Sequence, residues 1–388
     1  MRRILHLTDS WGPGGAETVF TDLAVGLDRT AFESVFGVPR DTGWLYEELR
    51  RRGAAPLVFP SSGTLDVRHL YRLVRVIRRR RIDVIQAHCF GTSVYASAAG
   101  LLTGIPVVCT LHGRVDIATG ERHRALKWQI VRRGASRIVC VSDSLRRELL
   151  ANTPRLNPAK VAVIYNGVDV ARFHPGNDDA GRCKLGLTGE RPLIGAVGNV
   201  RRIKGYETLV DAAAVLMRRG IQADFAIAGK AGNDFHRELL DQAKILGLDD
   251  RVHYLGFRDD TAELYRIFDI YVLTSHSEGF PLSTIQALAS GLPVVATRCG
   301  GPEEMVEDGV EGFLVPRGSA TGVADALATL ISDAALRRRM GVAARDKAVS
   351  RFSTGAMVSG YEALYDTLAP DRCRTLSAAA PASVGAVS

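Results

Sequence analysis

Only six cysteines (Cys89, Cys109, Cys140, Cys183, Cys299 and Cys373) occur in the 388 residues, and no two stand at C-x-x-C spacing. No histidines cluster at ligand spacing either. A structural zinc site or a redox motif is therefore excluded, and the thiols read as small core residues of a reducing compartment. No D-x-D occurs anywhere, which removes the usual aspartate metal site. Long apolar runs are also missing. The run Ile4–Leu7 is too short for the core of a signal peptide. Val84 to Gly113 holds no charged residue, yet Gly91, Gly100, Gly104 and Pro106 cut it into pieces that fit strand, helix, strand rather than a membrane span. A cytoplasmic protein is expected. The dinucleotide fingerprint fails as well: Gly12 and Gly14 are followed by Glu17 where a third glycine belongs, which argues against a hydride-transferring dehydrogenase.

What is present describes a globular chain, 46% hydrophobic and 24% charged, long enough for two domains. Charge is uneven. Residues 1–170 hold 25 Lys and Arg against 15 Asp and Glu, a net +10, whereas the remainder is net −2, which recovers the total of +8. The excess includes HLYRLVRVIRRRR. There Leu70, Leu73, Val74 and Ile77 mark an apolar helix face and Arg68, Arg72, Arg75 and Arg78–Arg81 fall on the other side and the end. Such a face is either simply solvated or rests on anionic lipid at the cytoplasmic leaflet. No recognised nucleic-acid module or aromatic stacking motif accompanies the charge, so nucleic acid is not an expected partner.

Apolar runs at 4–8, 34–38, 56–59, 84–86, 107–111, 137–141 and 161–165 alternate with helical segments. After the Gly-, Asp- and Pro-rich stretch from Asn166 to Gly189 a second series follows at 192–197, 223–228, 252–255, 270–273, 293–296 and 313–315. Each series predicts an α/β, doubly wound parallel sheet, whose ligands collect at the carboxyl ends of the strands. Four strand ends carry chemistry. Gly14 and Gly15 in WGPGGAE open a helix, a place where backbone can approach a phosphate. His112 and Gly113 end the run 107–111. VGNVRRIKG sets Asn199, Arg201, Arg202 and Lys204 after the run 192–197. Finally TSHSEGFPLSTIQALASGLPVVAT places Glu278 and Gly279 before a helix opened by Pro281 and closed by Gly291, with Gln286 about one turn inside it.

EGFPLSTIQALASGLPVVAT resembles the Glu-x7-Glu signature of retaining glycosyltransferases of family 4, which have the GT-B fold. GGAE, TLHG, YNGVD and the VGN to KG loop are similar to further elements of that family, in the same order. The resemblance spans roughly residues 1–370. It implies two Rossmann-like lobes with a cleft between them. The expected domains are 1–170 on the acceptor side, 171–358 on the nucleotide-sugar donor side, a helix 359–374 packing back on the first, and a disordered tail 375–388. It further implies transfer of a sugar, with retention, from a UDP- or GDP-sugar to an acceptor hydroxyl, possibly a lipid-linked one, in cell-surface polysaccharide or glycolipid synthesis. No cofactor or metal is expected.

In the family the first Glu contacts the donor sugar and the second the ribose. Glu278 matches the first; Gln286 stands at the second, retaining hydrogen bonds but bringing no charge. The implied catalytic residues are His112, Lys204 and Glu278. The implied substrate-binding residues are Gly14, Gly15, Asn199, Arg201, Arg202, Gly279, Phe280, Pro281, Leu282 and Gln286. Asn199 replaces an Arg common in the family, and Arg201 or Arg202 is left to supply a guanidinium. Lys204 and that Arg would stabilise the leaving diphosphate without a metal. The rival readings are a sugar-nucleotide epimerase of the same fold and a non-catalytic sugar-nucleotide-binding subunit, the latter motivated by Asn199 and Gln286.

Overall fold

A computed structural model describes residues 1–60, 66–117, 120, 123–187 and 191–369. The expected end of the last helix beyond 369 and the expected tail 375–388 lie outside the described residues. The chain forms two compact units: Met1–Cys140 with Leu149–Ile164 and the segment from Met357 onward, and Val141–Glu148 with Tyr165–Ala356. The division falls at 164/165, a few residues before the composition shift, because Tyr165 stacks on Phe280 at 4.9 Å and Val168 bridges Ser353, both within the second unit.

Among the described residues the first unit carries seven parallel strands in the order β3-β2-β1-β4-β5-β6-β7. These are β1 (Arg2–Leu7), β2 (Phe32–Val38), β3 (Leu57–Val58), β4 (Val84–His88), β5 (Val107–Leu111), β6 (Arg137–Cys140) and β7 (Val161–Val163). The second carries six parallel strands in the order β10-β9-β8-β11-β12-β13: β8 (Leu193–Val197), β9 (Asp224–Ala228), β10 (Val252–Gly256), β11 (Ile270–Leu273), β12 (Val294–Thr297) and β13 (Gly312–Val315). Each is one of the apolar runs. Strands covered on both faces by helices read as mainly apolar runs rather than alternating ones: every residue of β4, β5, β11 and β12 is buried, the few polar ones included.

The helix Thr354–Leu368 starts in the second unit and ends in the first. Its buried Tyr361 hydroxyl shares a 2.9 Å hydrogen bond with Thr110, and Tyr365 donates to Gln86 Oε1 at 3.0 Å, while Gln86 Nε2 donates to Thr110 at 2.9 Å. In a core this polar, every group needs a partner. These four side chains supply one another and pin β4 to β5.

The arginine-rich segment is the helix Val67–Arg80, capped by Asp66, whose side chain accepts from His69 N. Leu73 and Ile77 are buried, and Arg68, Arg72, Arg75 and Arg78–Arg81 are all exposed. Among the described residues no helix is long and apolar enough to cross a membrane.

Candidate active site

In the second unit, register brings the predicted residues together. β8 and β11 are neighbours, so the loops that leave their carboxyl ends meet. His276 N donates to Ile203 O at 2.8 Å and Thr274 Oγ1 to Lys204 O at 3.2 Å. Gly205, at φ 62°, closes against Thr274 O, where a Cβ would collide with that oxygen. The result is an ion pair of 2.7 Å between Lys204 Nζ and Glu278 Oε1, and Ser275 donates to the same oxygen at 2.6 Å. Glu278 Oε2 has no hydrogen-bond partner among the described residues. The side chains retain 21% and 13% of their exposure, enough for a ligand to reach them.

Immediately after Glu278 the chain starts the helix Leu282–Ala289. Pro281 is its N-cap rather than its first helical residue, and Gly291 at φ 71° ends it as expected. The N–H groups of Gly279, Phe280, Leu282 and Ser283 find no acceptor among the described residues. Unpaired donors at a helix start attract an anion. Gln286 is partly buried; its Oε1 accepts from Tyr265 at 3.2 Å, and its Nε2 has no partner among the described residues. Phe280 lies differently from the substrate-contact role: the residue is 4% exposed, its ring packed between Tyr165 and Phe352. Only its backbone is left for a ligand, and its carbonyl already accepts from Asn166.

The basic loop separates its two arginines. Arg202 donates twice to Glu238, at 2.6 and 2.8 Å, and lies 4.8 Å from the Phe235 ring. Arg201 is exposed without an ion pair among the described residues. Asn199 Oδ1 accepts from Lys230 N at 3.1 Å, tying the ends of β8 and β9 together.

In the first unit, the helix Gly15–Gly26 starts at the GGAE loop with Gly14 as its N-cap. Glu17 curls back over Gly14, 2.6 Å from where a Cβ would lie, and accepts from Ser10. At the next strand ends, His112 Nε2 lies 3.0 Å from His88 Nδ1, the rings stacked at 19°. Asp116 braces both ends, its carboxylate accepting from Phe90 N at 2.9 Å and His112 N at 2.7 Å. Cys89, between His88 and Phe90, has φ 68°, a strain tolerated where the surroundings fix the backbone. Burial lowers the His112 pKa to about 4, lowers His88 well below its ordinary value and raises the Asp116 carboxyl to about 6. His112 is therefore neutral at pH 7.

Among the described residues no three His, Cys, Asp or Glu side chains gather as a metal site. Sequence reasoning missed Ser275, His88 and Asp116. A Ser three residues before Glu278 was open to inspection, but the other two depend on which strand ends become neighbours.

A parallel two-sheet scaffold with a carboxylate, a lysine and free N–H groups at strand ends can receive an anionic ligand, and the family models place the chain among known proteins. Residues 178–347 match "Glycosyl transferases group 1" and residues 13–172 match "Glycosyltransferase Family 4". The chain belongs to this glycosyltransferase family. It is 30% identical over 309 residues to N-acetyl-alpha-D-glucosaminyl L-malate synthase of Bacillus anthracis, covering 78% of this chain and 79% of that protein. It is 31% identical over 289 residues to D-inositol 3-phosphate glycosyltransferase of Saccharomonospora viridis, covering 70% and 67%. The crystal structure of Anabaena Alr3699/HepE in complex with UDP superposes with a TM-score of 0.84 at 25% identity, over 95% of this chain and all of that one.

Proposed function

We propose that the protein transfers a sugar, with retention, from a nucleotide-diphosphate sugar to an acceptor hydroxyl. The observation that carries this is the Lys204–Glu278 pair beside the unpaired N–H groups of Gly279, Phe280, Leu282 and Ser283. C–O cleavage develops negative charge on the departing diphosphate, and preorganised cations and N–H donors stabilise it. Lys204 supplies the point charge and Arg201, free of Glu238, the guanidinium. The free oxygen of Glu278 accepts from a sugar hydroxyl, Gln286 Nε2 donates to a ribose hydroxyl, Gly14 and Gly15 offer backbone to the diphosphate, and His112 serves the transfer as a neutral imidazole. No metal is required in this scheme. The structural relative in complex with UDP-glucose supports a uridine donor.

The acceptor side has two readings. Exposed arginines along the helix Val67–Arg80, with no ion pair among the described residues, fit an anionic membrane and hence a lipid-linked acceptor in polysaccharide or glycolipid synthesis. The names of the relatives, which refer to malate and inositol 3-phosphate, favour instead a small anionic acceptor.

Thermal shift against UDP, GDP, UDP-glucose and UDP-N-acetylglucosamine tests the donor. A ligand bound only by the native state raises the midpoint with concentration, and no shift with any of the four refutes a uridine or guanosine donor site. Flotation with acidic liposomes tests the surface: binding that weakens as salt rises supports the lipid reading, and free protein at low salt removes it.

A further inference from the structure

β1 and β2 are parallel neighbours, with Leu7 opposite Gly37, so the loops that leave their carboxyl ends start side by side. One loop carries Trp11 and the other Arg40, and the Arg40 guanidinium lies over the indole, 4.1 Å from the ring centroid. The backbone beneath is fixed. Trp11 O accepts from Leu45 N at 3.3 Å, and Ser10 N donates to Thr8 Oγ1 at 3.2 Å. Gly43, at φ 98°, passes so near that a Cβ there would stand 3.3 Å from Trp11 O. The pair itself is open: Trp11 is 45% exposed and Arg40 is exposed. Neither side chain has a hydrogen bond or an ion pair among the described residues, and Asp41, next to Arg40 in the chain, does not pair with it there.

An arginine stacked on a surface aromatic is by itself ordinary. This one stands at the carboxyl edge of a doubly wound sheet, where ligands collect. It faces the loop that also holds Gly14 and Gly15, and residues 1–170 around it are net +10. A guanidinium laid on a ring keeps its N–H donors at its rim, as a fork that fits two oxygens of a carboxylate or a phosphate. The stack holds a long side chain in place before a ligand arrives, so less rotamer freedom is lost on binding. Beside that fork the indole offers apolar surface and one N–H to the ligand's hydroxylated carbon skeleton. We propose that Trp11 and Arg40 form an oxyanion subsite that takes the carboxylate or phosphate of a small hydroxylated acceptor. The assignment of this anion to an acceptor rests on the reading of the chain as a sugar transferase. The binding of the anion does not.

The test follows the indole N–H signal of Trp11 by 1H–15N NMR in full-length protein, the signal assigned by its loss in Trp11→Phe. The protein is titrated at constant ionic strength with glycerol 3-phosphate, with D-glycerate and, as a neutral control, with glycerol. The expected result is a saturable shift with at least one of the two anions and none with glycerol; the anion that binds more tightly names the oxyanion. In Arg40→Gln that shift should be lost, while the signals of Trp44 and Trp128 stay in place and report an intact fold. A Trp11 signal unmoved by both anions, moved equally by glycerol, or moved as far in Arg40→Gln as in the parent overturns the proposal. Failure of every nucleotide in the thermal-shift screen would remove the transfer reading and leave the anion result standing.

Discussion

Beyond β5, a half-buried imidazole is held by a second imidazole and a carboxylate that touches only backbone N–H groups. Beyond β8 and β11, a lysine and a glutamate meet directly at 2.7 Å. Both sites sit at the carboxyl ends of neighbouring parallel strands, so the scaffold is the same and only the surroundings differ. In the first unit burial suppresses charge; in the second, a cation and a carboxylate meet as an ion pair. The first suits a neutral donor or acceptor with a fixed direction, and the second suits a ligand whose own charge changes during reaction.

The largest effect is expected at the charged end. Lys204→Ala should lower kcat/KM by roughly a hundredfold or more, the scale of losing one preorganised donor. Near-normal turnover by a folded variant would end the comparison. Next comes pH. His6 is pushed down to about 3 and His112 to about 4, both by burial, and His88 is lowered too. Above the ordinary value of 6.5 both folded and unfolded states keep these rings neutral. As pH falls below 6.5 the unfolded chain takes up protons that the native chain refuses, so stability drops. Asp116, raised to about 6, works in the opposite direction between about pH 6 and 4, but one carboxyl is outnumbered by three imidazoles. The midpoint of thermal unfolding should fall between pH 6.5 and 5, and His6→Phe should flatten that fall; a flat parent profile refutes the assignment of charge suppression to the first unit.

Smaller effects sharpen the picture at the second unit. Gln286→Leu should weaken donor binding several-fold by leaving ligand hydroxyls unpaired, and Gln286→Glu should hold or tighten it through a charge-assisted bond. Equal Kd for all three proteins by calorimetry would mean that Gln286 has no ribose role. The smallest change is expected for Arg202→Ala. Its exposed pair with Glu238 contributes about 1 kcal/mol or less, so the donor Kd should stay within about twofold, while Arg201→Ala should raise it. The reverse ranking would return the diphosphate role to Arg202.

The thirteen strands among the described residues were legible because buried parallel strands are written as mainly apolar runs between helices. At the second unit the signature around Glu278 also marked its partner, since Lys204 follows a strand that must end at the same edge. What escaped depends on neighbours distant in sequence. Arg201 and Arg202 are equivalent until the helix Asp234–Ile245 brings Glu238 to one of them. His88 lies 24 residues from His112, and only the β4–β5 register makes them a pair. Phe280 sits inside the motif, yet Tyr165 and Phe352 claim its ring for the core.

The pairing of Tyr361 and Tyr365 with Thr110 and Gln86 joins residues up to 279 positions apart. During synthesis, the first-made sheet must wait for the helix Thr354–Leu368 before its polar core is satisfied. The second unit, apart from 141–148, is one stretch ending at Ala356. On the ribosome the first unit, although begun first, thus matures late, its polar core being satisfied only after residues up to Tyr365 have been made.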